Sequence, residues 1–467
     1  MSPRPDDAQR EAARQVEQHR RMREIEDAIL ARTPEHMPEP SLHRVARAME
    51  LLGDPQKAFP VIHITGTNGK TSTARIIERL LREAGLSTGR FTSPHLHDLR
   101  ERISLNGNLI SRERFIATWD DIAPFIEIVD AESVAADGPP MTYFEVLTVV
   151  AYAAFADAPI DVAIIEVGLG GRWDATNVAD ATVAVLAPIA IDHTRLLGDT
   201  LELIASEKRG IIKPGTIAVV ARQEPEVDEL IAERVEEVGA SVRRIDQDFS
   251  LNEREPAVGG QQVSIQGLAA IYPDLFLPLY GEHQALNASI AVAAVEAFLG
   301  GGEQPLETEI VTTGLAEVTS PGRLEIVRRS PTVLVDAAHN LAGAQALREA
   351  LNDSFTFTKL VGLVAILQDK DADAILEALE PMLDHVVISR TTSARAMSPT
   401  ELGKLAEEIF GEDRVTVIRD LPDALDQAAA LADDGGVGGG VLATGSVVTA
   451  AEVRLLVGAG GDGAESS

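Results

Sequence analysis

The sequence predicts an α/β protein built as two successive parallel-sheet units with a cleft between them. Three observations carry this reading. Short β-branched runs alternate with helical periodicity along most of the chain, and a glycine-rich turn sits where the first strong strand passes into a helix. Near residue 320, Thr319-Ser320-Pro321-Gly322 interrupts the alternation. At about 150 residues per domain, the 467 residues allow three domains or two large ones.

The first 22 residues are dense in Arg, Glu, Asp and Gln and read as a charged N-terminal arm, either an exposed helix or disordered. From Arg23 to Leu52 the apolar spacing suggests two amphipathic helices separated by the proline-rich Thr33 to Pro40. The first unit then alternates: strand Val61 to Ile64, helix Thr71 to Ala84, strand Ser87 to Thr92, helix Phe144 to Ala156, strand Val162 to Val167, strand Thr182 to Ile189, helix Leu201 to Arg209 and strand Thr216 to Val220. Continuous β-branched runs of this kind suit a parallel sheet covered on both faces. Ser241 to Leu277 alternates in short polar segments and reads as a small β excursion, followed by a helix from about Gln284 to Phe298. This unit spans 23–318.

The second unit, 322–467, repeats the scheme on a smaller scale. Its strands are predicted at Thr332 to Val335, Lys359 to Ile366, His385 to Ser389, Arg414 to Ile418 and Val441 to Thr444. Helices are predicted between them at Ala342 to Asn352, Ala372 to Met382, Pro399 to Phe410 and Leu421 to Ala432.

Composition excludes several classes of function. Lys+Arg 41 against Asp+Glu 73 leaves a formal charge of −32, which argues against a nucleic-acid partner because phosphate neutralisation needs clustered basic charge. An anionic ligand would therefore need a locally built site of backbone N–H groups, a few cations and a metal ion. With Cys 0 there is no disulfide framework, zinc-thiolate site or cysteine nucleophile. The charged N-terminus lacks the apolar core of a secretory signal, and no apolar run is long enough to cross a membrane. The expected compartment is the cytoplasm.

The sharpest local signal is Thr65-Gly66-Thr67-Asn68-Gly69-Lys70-Thr71-Ser72, set between a buried strand and a helix. Glycines let the backbone wrap a phosphate chain, helix N–H dipoles point at it, Lys70 supplies charge and Thr71 can reach magnesium. The spacing departs from the common P-loop, because Ile64 stands where the first glycine would be. Glu166 ends an apolar strand, where a carboxylate can hold magnesium against ATP phosphates or simply form a salt bridge. The fold expected is thus a P-loop-type parallel-sheet ATPase domain followed by a smaller Rossmann-like α/β domain.

The loop Gly-Thr-Asn-Gly-Lys-Thr resembles that of the Mur ligase superfamily. Phe91-Thr92-Ser93-Pro94-His95-Leu96, Glu166-Val167-Gly168-Leu169-Gly170-Gly171-Arg172-Trp173-Asp174-Ala175-Thr176-Asn177, Ile191-Asp192-His193, Glu207-Lys208-Arg209-Gly210-Ile211, Pro321-Gly322-Arg323, Asp336-Ala337-Ala338-His339-Asn340 and Asp369-Lys370-Asp371 are similar to segments of folylpolyglutamate and dihydrofolate synthases, in the family's order. The resemblance implies ATP contacts at Thr67, Asn68, Gly69, Lys70, Thr71, Ser72, Asn287, Arg323 and Asp336. It implies metal ligands at Ser93, Glu166 and His193, two magnesium ions, a carbamylated Lys208, and a role for His339 near the phosphate and the incoming amino acid. On the pterin side it points to Glu39 to Leu42 and to Thr142, Tyr143, Phe144, Glu145, Trp173, Asp174 and Ala175.

Departures from the family pattern fall at Ala337, where many relatives carry glycine, and at Leu341, where they carry proline; the latter could alter the turn after Asn340. The implied reaction is ATP-dependent addition of L-glutamate to dihydropteroate and to the γ-carboxylate of reduced folates, through an acyl phosphate, by a monomer. Two rivals are a monofunctional folylpolyglutamate synthase and an ATP-dependent switch without ligase activity. A cell-wall Mur ligase should not carry the Ser-Pro-His-Leu and Gly-Leu-Gly-Gly-Arg segments together.

Overall fold

The computed structural model describes residues 5–34, 41–434, 436 and 438–459, with side chains from residue 14 onward. Glu39 and Pro40, the start of the arm and 460–467 of the second unit lie outside the described residues.

An eight-stranded sheet forms the centre of the first unit. In spatial order its strands are Asn108–Leu109, Ile103–Leu105, Thr88–Phe91, Val162–Glu166, Val61–Thr65, Val183–Leu186, Ile217–Val220 and Ser241–Arg244. Every neighbour pair from Thr88–Phe91 onward is parallel, and a short antiparallel hairpin (103–109) closes one edge. Because side chains alternate along a strand, Ile62 and Ile64 pack on one face with the Lys70–Glu83 and Glu282–Gly300 helices. Val61, Ala163 and Ile165 pack on the other with the Tyr143–Asp157 and Arg112–Ala135 helices. The Arg112–Ala135 helix is absent from the sequence reading although Phe115, Trp119, Ile122, Ile126 and Val129 form a buried stripe on it. Pro124, inside that run, reads locally as a break.

The expected β excursion is present in part. Ser241–Arg244 joins the main sheet, while Ser250–Ala257, Gly260–Gln266 and Ile271–Leu277 form a separate antiparallel sheet of three strands. At the N-terminus a single helix, Pro5–Leu30, runs through the predicted boundary at residue 22. Its last turns are held by burial of Met22, Ile25 and Ile29, and Arg21 pairs with Asp120 at 2.6 Å. Those apolar residues, spaced three to four apart, anchor the charged segment to the domain, so the predicted division falls within one helix.

The second unit is a six-stranded sheet in the order Glu325–Arg329, Thr332–Val335, Gly439–Thr444, Lys359–Val364, His385–Ile388 and Val415–Val417, parallel except for its first strand. Helices on both faces close two apolar clusters, one around Leu334, Val364 and Ile388 and the other around Val335, Leu363 and Val387. Among the described residues no helix is long and apolar enough to cross a membrane.

A buried ion pair holds the helices over the first sheet. Arg44 Nη2 lies 3.1 Å from Glu145, and both residues are buried. Removing one member leaves the other's charge buried and uncompensated, which typically costs about 3–5 kcal/mol. Arg44→Met is expected to lower stability by that order in a urea melt, and Arg44→Met/Glu145→Gln to recover part of the loss.

Candidate active site

The parallel register decides where the site forms. Ile64 pairs with Glu166 on the adjacent strand, so the loop leaving Val61–Thr65 and the carboxylate ending Val162–Glu166 emerge side by side at the same sheet edge. Thr71 Oγ1, in the first turn of the Lys70–Glu83 helix, donates to both Glu166 oxygens at 3.0 and 3.1 Å, and the Ser93 backbone N–H donates to Oε2 at 3.2 Å. Burial raises the Glu166 carboxyl above its ordinary range, against the pull of Lys70 and of these hydrogen bonds. An oxygen-rich group of this kind fits a hard divalent cation such as magnesium. His193 lines the same cleft, and among the described residues no three His, Asp or Glu side chains converge as a preformed metal cluster.

The loop itself is tightly fitted. Gly69 has φ +84°, and a Cβ there would run into the Asn287 side-chain amide, which packs the Glu282–Gly300 helix against the turn. Lys70 Nζ donates to the carbonyls of Gly66 and Thr67 at 3.1 and 3.0 Å. Lys208 Nζ, buried at the end of the Leu201–Lys208 helix, donates to the same Gly66 carbonyl at 2.7 Å. Burial, then repulsion by Lys70, pushes the Lys208 amine down to about 7.

The second unit reaches over this edge. The Asn68 and Asn340 amides exchange two hydrogen bonds of 3.2 Å, and Ser72 Oγ meets Ser320 Oγ at 3.0 Å. Asp192 is the hub of the junction. Its carboxylate accepts from Lys370 Nζ and from Asn340 Nδ2 at 2.9 Å, with His339 Nε2 at 3.4 Å. Burial alone would raise this carboxyl, but the hydrogen bond from His339 and the charges of His193 and Lys370 outweigh it and hold Asp192 well below the usual range. His339 Nδ1 is tied to the Ala337 carbonyl at 2.8 Å. Asp336 is buried and accepts from the N–H groups of Leu324 and Ala338, which places it beside Arg323 on the same wall. Leu341, where many relatives carry proline, begins the next helix without it, because Asn340 Oδ1 caps that helix by accepting from Gly343 N–H at 2.8 Å.

Together these groups line one cleft of about 1110 Å³. It gathers Thr67, Asn68, Gly69, Lys70, Thr71, Ser72, Ser93, Glu166, His193, Lys208, Asn287, Arg323, Asp336 and His339. The residues expected on the pterin side divide. Tyr143 lines the cleft, with the Arg102 guanidinium 5.3 Å from its ring centre. Thr142 and Glu145 instead form a reciprocal capping box at the start of the Tyr143–Asp157 helix, and Phe144 packs against Phe91 at 5.7 Å. Asp174 caps the Ala175–Val178 turn, Ala175 is buried in the apolar core, and Trp173 stands 45% exposed outside the cleft lining. Sequence reading left Asp192, Asn340 and Lys370 without roles; their motifs were visible, but their meeting across the two units was not.

Comparison with known proteins gives this architecture a class. The Mur ligase middle domain matches residues 64–295, and the Mur ligase glutamate ligase domain matches 322–447. A dihydrofolate synthase/folylpolyglutamate synthase of Mycobacterium tuberculosis is 49% identical over 455 residues, covering 93% of each chain. One of Bacillus subtilis is 34% identical over 385 residues, covering 82% of this chain and 89% of that one. The M. tuberculosis folylpolyglutamate synthase complexed with ADP and AMPPCP matches with a TM-score of 0.90 and 48% identity, over 94% of this chain and 99% of that one. Escherichia coli FolC in complex with DHPP and ADP matches with a TM-score of 0.79 and 30% identity, over 90% and 94%. The chain belongs to the dihydrofolate synthase/folylpolyglutamate synthase family of Mur ligases.

The Asp192 hub generates a test of the junction. Lys370→Met leaves a buried carboxylate short of its cation, at a cost of about 2–5 kcal/mol by analogy with interfacial charge pairs. The expected result is a larger radius of gyration in X-ray scattering, with the far-UV circular dichroism unchanged.

Proposed function

We propose that the protein is an ATP-dependent ligase that joins L-glutamate to 7,8-dihydropteroate and to the γ-carboxylate of reduced folates. The observation that carries this reading is the single cleft in which the Gly66–Thr71 loop and Glu166 face Arg323, Asp336 and His339 of the second unit. A carboxylate is a poor electrophile until its oxygen is exchanged for a better leaving group. In the first step it attacks the γ-phosphorus of ATP, an O–P bond forms, the bond to the β-phosphate oxygen breaks, and ADP leaves an acyl phosphate. In the second, the glutamate amine attacks the acyl carbon, the C–O bond breaks, and an amide and phosphate result. Loop N–H groups and Lys70 stabilise charge on the transferred phosphoryl group, while the second unit shields the acyl phosphate from water.

Magnesium, when bound, would neutralise the phosphate oxygens; Ser93, Glu166 and His193 are the residues we expect to hold it, with Thr71 in reach and a carbamylated Lys208 helping to hold a second ion. The same reading gives Asn287, Arg323 and Asp336 contacts to the nucleotide and His339 a place near the incoming amine. On the pterin side, Tyr143 is the ring-facing candidate. Phe144, Glu145, Thr142, Asp174 and Ala175 act through the framework, and Trp173 is left as an exposed flank. The working units are taken as 23–318 and 322–467, in a cytoplasmic monomer.

Carbamylation of Lys208 is supported by its burial and its lowered pKa, since capture of carbon dioxide needs the neutral amine and releases one proton. The neutral fraction rises as pH passes about 7. A carbamate signal from ¹³C-bicarbonate should therefore grow from pH 6 to 8 and be missing from Lys208→Ala, whose turnover should fall about 10²-fold or more, in line with loss of one charge-stabilising group.

ATP-dependent incorporation of labelled glutamate tests the reaction directly, with Lys70→Ala as the blank. Product from both dihydropteroate and tetrahydrofolate is expected. Product from tetrahydrofolate alone would make the protein a monofunctional folylpolyglutamate synthase, and none from either, despite Mg-ATP binding, would leave an ATP-dependent switch.

A further inference from the structure

Further along the Lys70–Glu83 helix, beyond the first turn that lines the cleft, lies a small polar pocket of about 80 Å³ that shares no lining residue with the cleft. Arg75, Arg79 and Arg82 enter it from one helical face at i, i+4 and i+7, and Arg90 enters from the neighbouring strand. Two of the four are spoken for. Arg90 Nε donates to Glu78 at 2.7 Å, and Arg79 pairs with Glu83 at 3.0 Å and Glu317 at 2.6 Å, although its Nε is buried without a partner.

The other two are not. Neither Arg75 nor Arg82 makes a hydrogen bond or an ion pair with any other described residue, in a chain whose carboxylates outnumber its Lys and Arg by 73 to 41. Burial, then repulsion from Arg90, pushes the Arg75 guanidinium down to about 9 against the opposing pull of Glu78 and Glu101, so these carboxylates leave its charge only partly compensated and a further anion would relieve it. Gly107, at φ +77°, lets the opposing turn approach the Arg82 guanidinium where any Cβ would collide with it. The pocket has room for one tetrahedral oxyanion or a few waters, and is too small for a nucleotide or a folate. Paired planar guanidinium groups match phosphate oxygens in bidentate geometry.

We propose that this pocket is a phosphate-binding site, separate from the active cleft, in which Arg75 and Arg82 take the charge of inorganic phosphate or of a phosphomonoester group. Val318 and Thr319 also line it, so the occupant sits between the helix that follows the nucleotide loop and the linker into the second unit. This site is independent of the ligase reading and could stand if that reading failed.

The test uses the full chain with its nucleotide site filled by Mg²⁺ and β,γ-methylene-ATP, so that phosphate cannot bind there. Equilibrium dialysis with radiolabelled inorganic phosphate, at ionic strength held constant with chloride, should find one saturable equivalent. The melting midpoint should rise on the order of 2 °C at ten times Kd. Arg75→Met and Arg82→Met should each weaken phosphate binding at least tenfold, and Arg75→Lys should keep part of it. In phosphate-free buffer Arg82→Met should melt no lower than the parent, because Arg82 makes no hydrogen bond or ion pair with another described residue, whereas a purely structural arginine would be missed. Competition by glycerol phosphate would extend the site to phosphomonoesters, and its failure would confine it to free phosphate. Absence of saturable phosphate under these conditions, or binding that survives both methionine substitutions, overturns the proposal.

Discussion

ATP, glutamate and a folate carboxylate are all anions, and they must approach a chain that carries 73 carboxylates against 41 Lys and Arg. Long-range attraction cannot bring them in. The structure meets this constraint by concentration: Lys70, Lys208, Arg323 and Lys370 converge on one cleft, together with the backbone N–H groups of the loop and of the helix it opens. The parallel sheet makes that convergence possible, because strands sharing a direction deliver their following loops to one edge. Glu166 is thereby set beside the phosphate loop and the junction with the second unit is brought over it.

Burial acts in opposite directions on the two groups that matter most there. It raises the Glu166 carboxyl and lowers the Lys208 amine, so each is driven toward its neutral form by the same exclusion of water. For Glu166, a bound cation would restore the charge. For Lys208, neutrality is what the proposed carbamylation requires, because only the free amine can react with carbon dioxide. One dry cleft thus acts on both a carboxylate at a strand end and a lysine at a helix end.

Much of this was legible in the sequence, and the limits have physical causes. The central parallel strands, the glycine loop and the four helices expected in the second unit follow from local periodicity, and Pro399–Phe410 agrees to the residue, while the Val447–Leu456 helix and the Glu325–Arg329 strand were not anticipated. The Arg112–Ala135 helix was missed because Pro124 interrupts an otherwise regular stripe. Thr142 and Glu145 carry the Thr-x-x-Glu spacing of a capping box, a local signal that could have announced their role at the start of the Tyr143–Asp157 helix. The Asp192–Lys370 pair had no such signal. Its members lie 178 residues apart, and only the packing of two sheets brings them together.

Asn340 performs two tasks with one amide. Its oxygen caps the Leu341–Ser354 helix through Gly343 and also accepts from Asn68, while its nitrogen donates to Asn68 and Asp192. Parting the two units would strip that amide of its partners in the first unit and free it to rotate, loosening its hold on the first helical turn. Cleft opening and fraying of that turn are therefore coupled motions, and the Gly343 amide, protected from hydrogen exchange by the same bond, would act as a natural gauge of how often the enzyme opens.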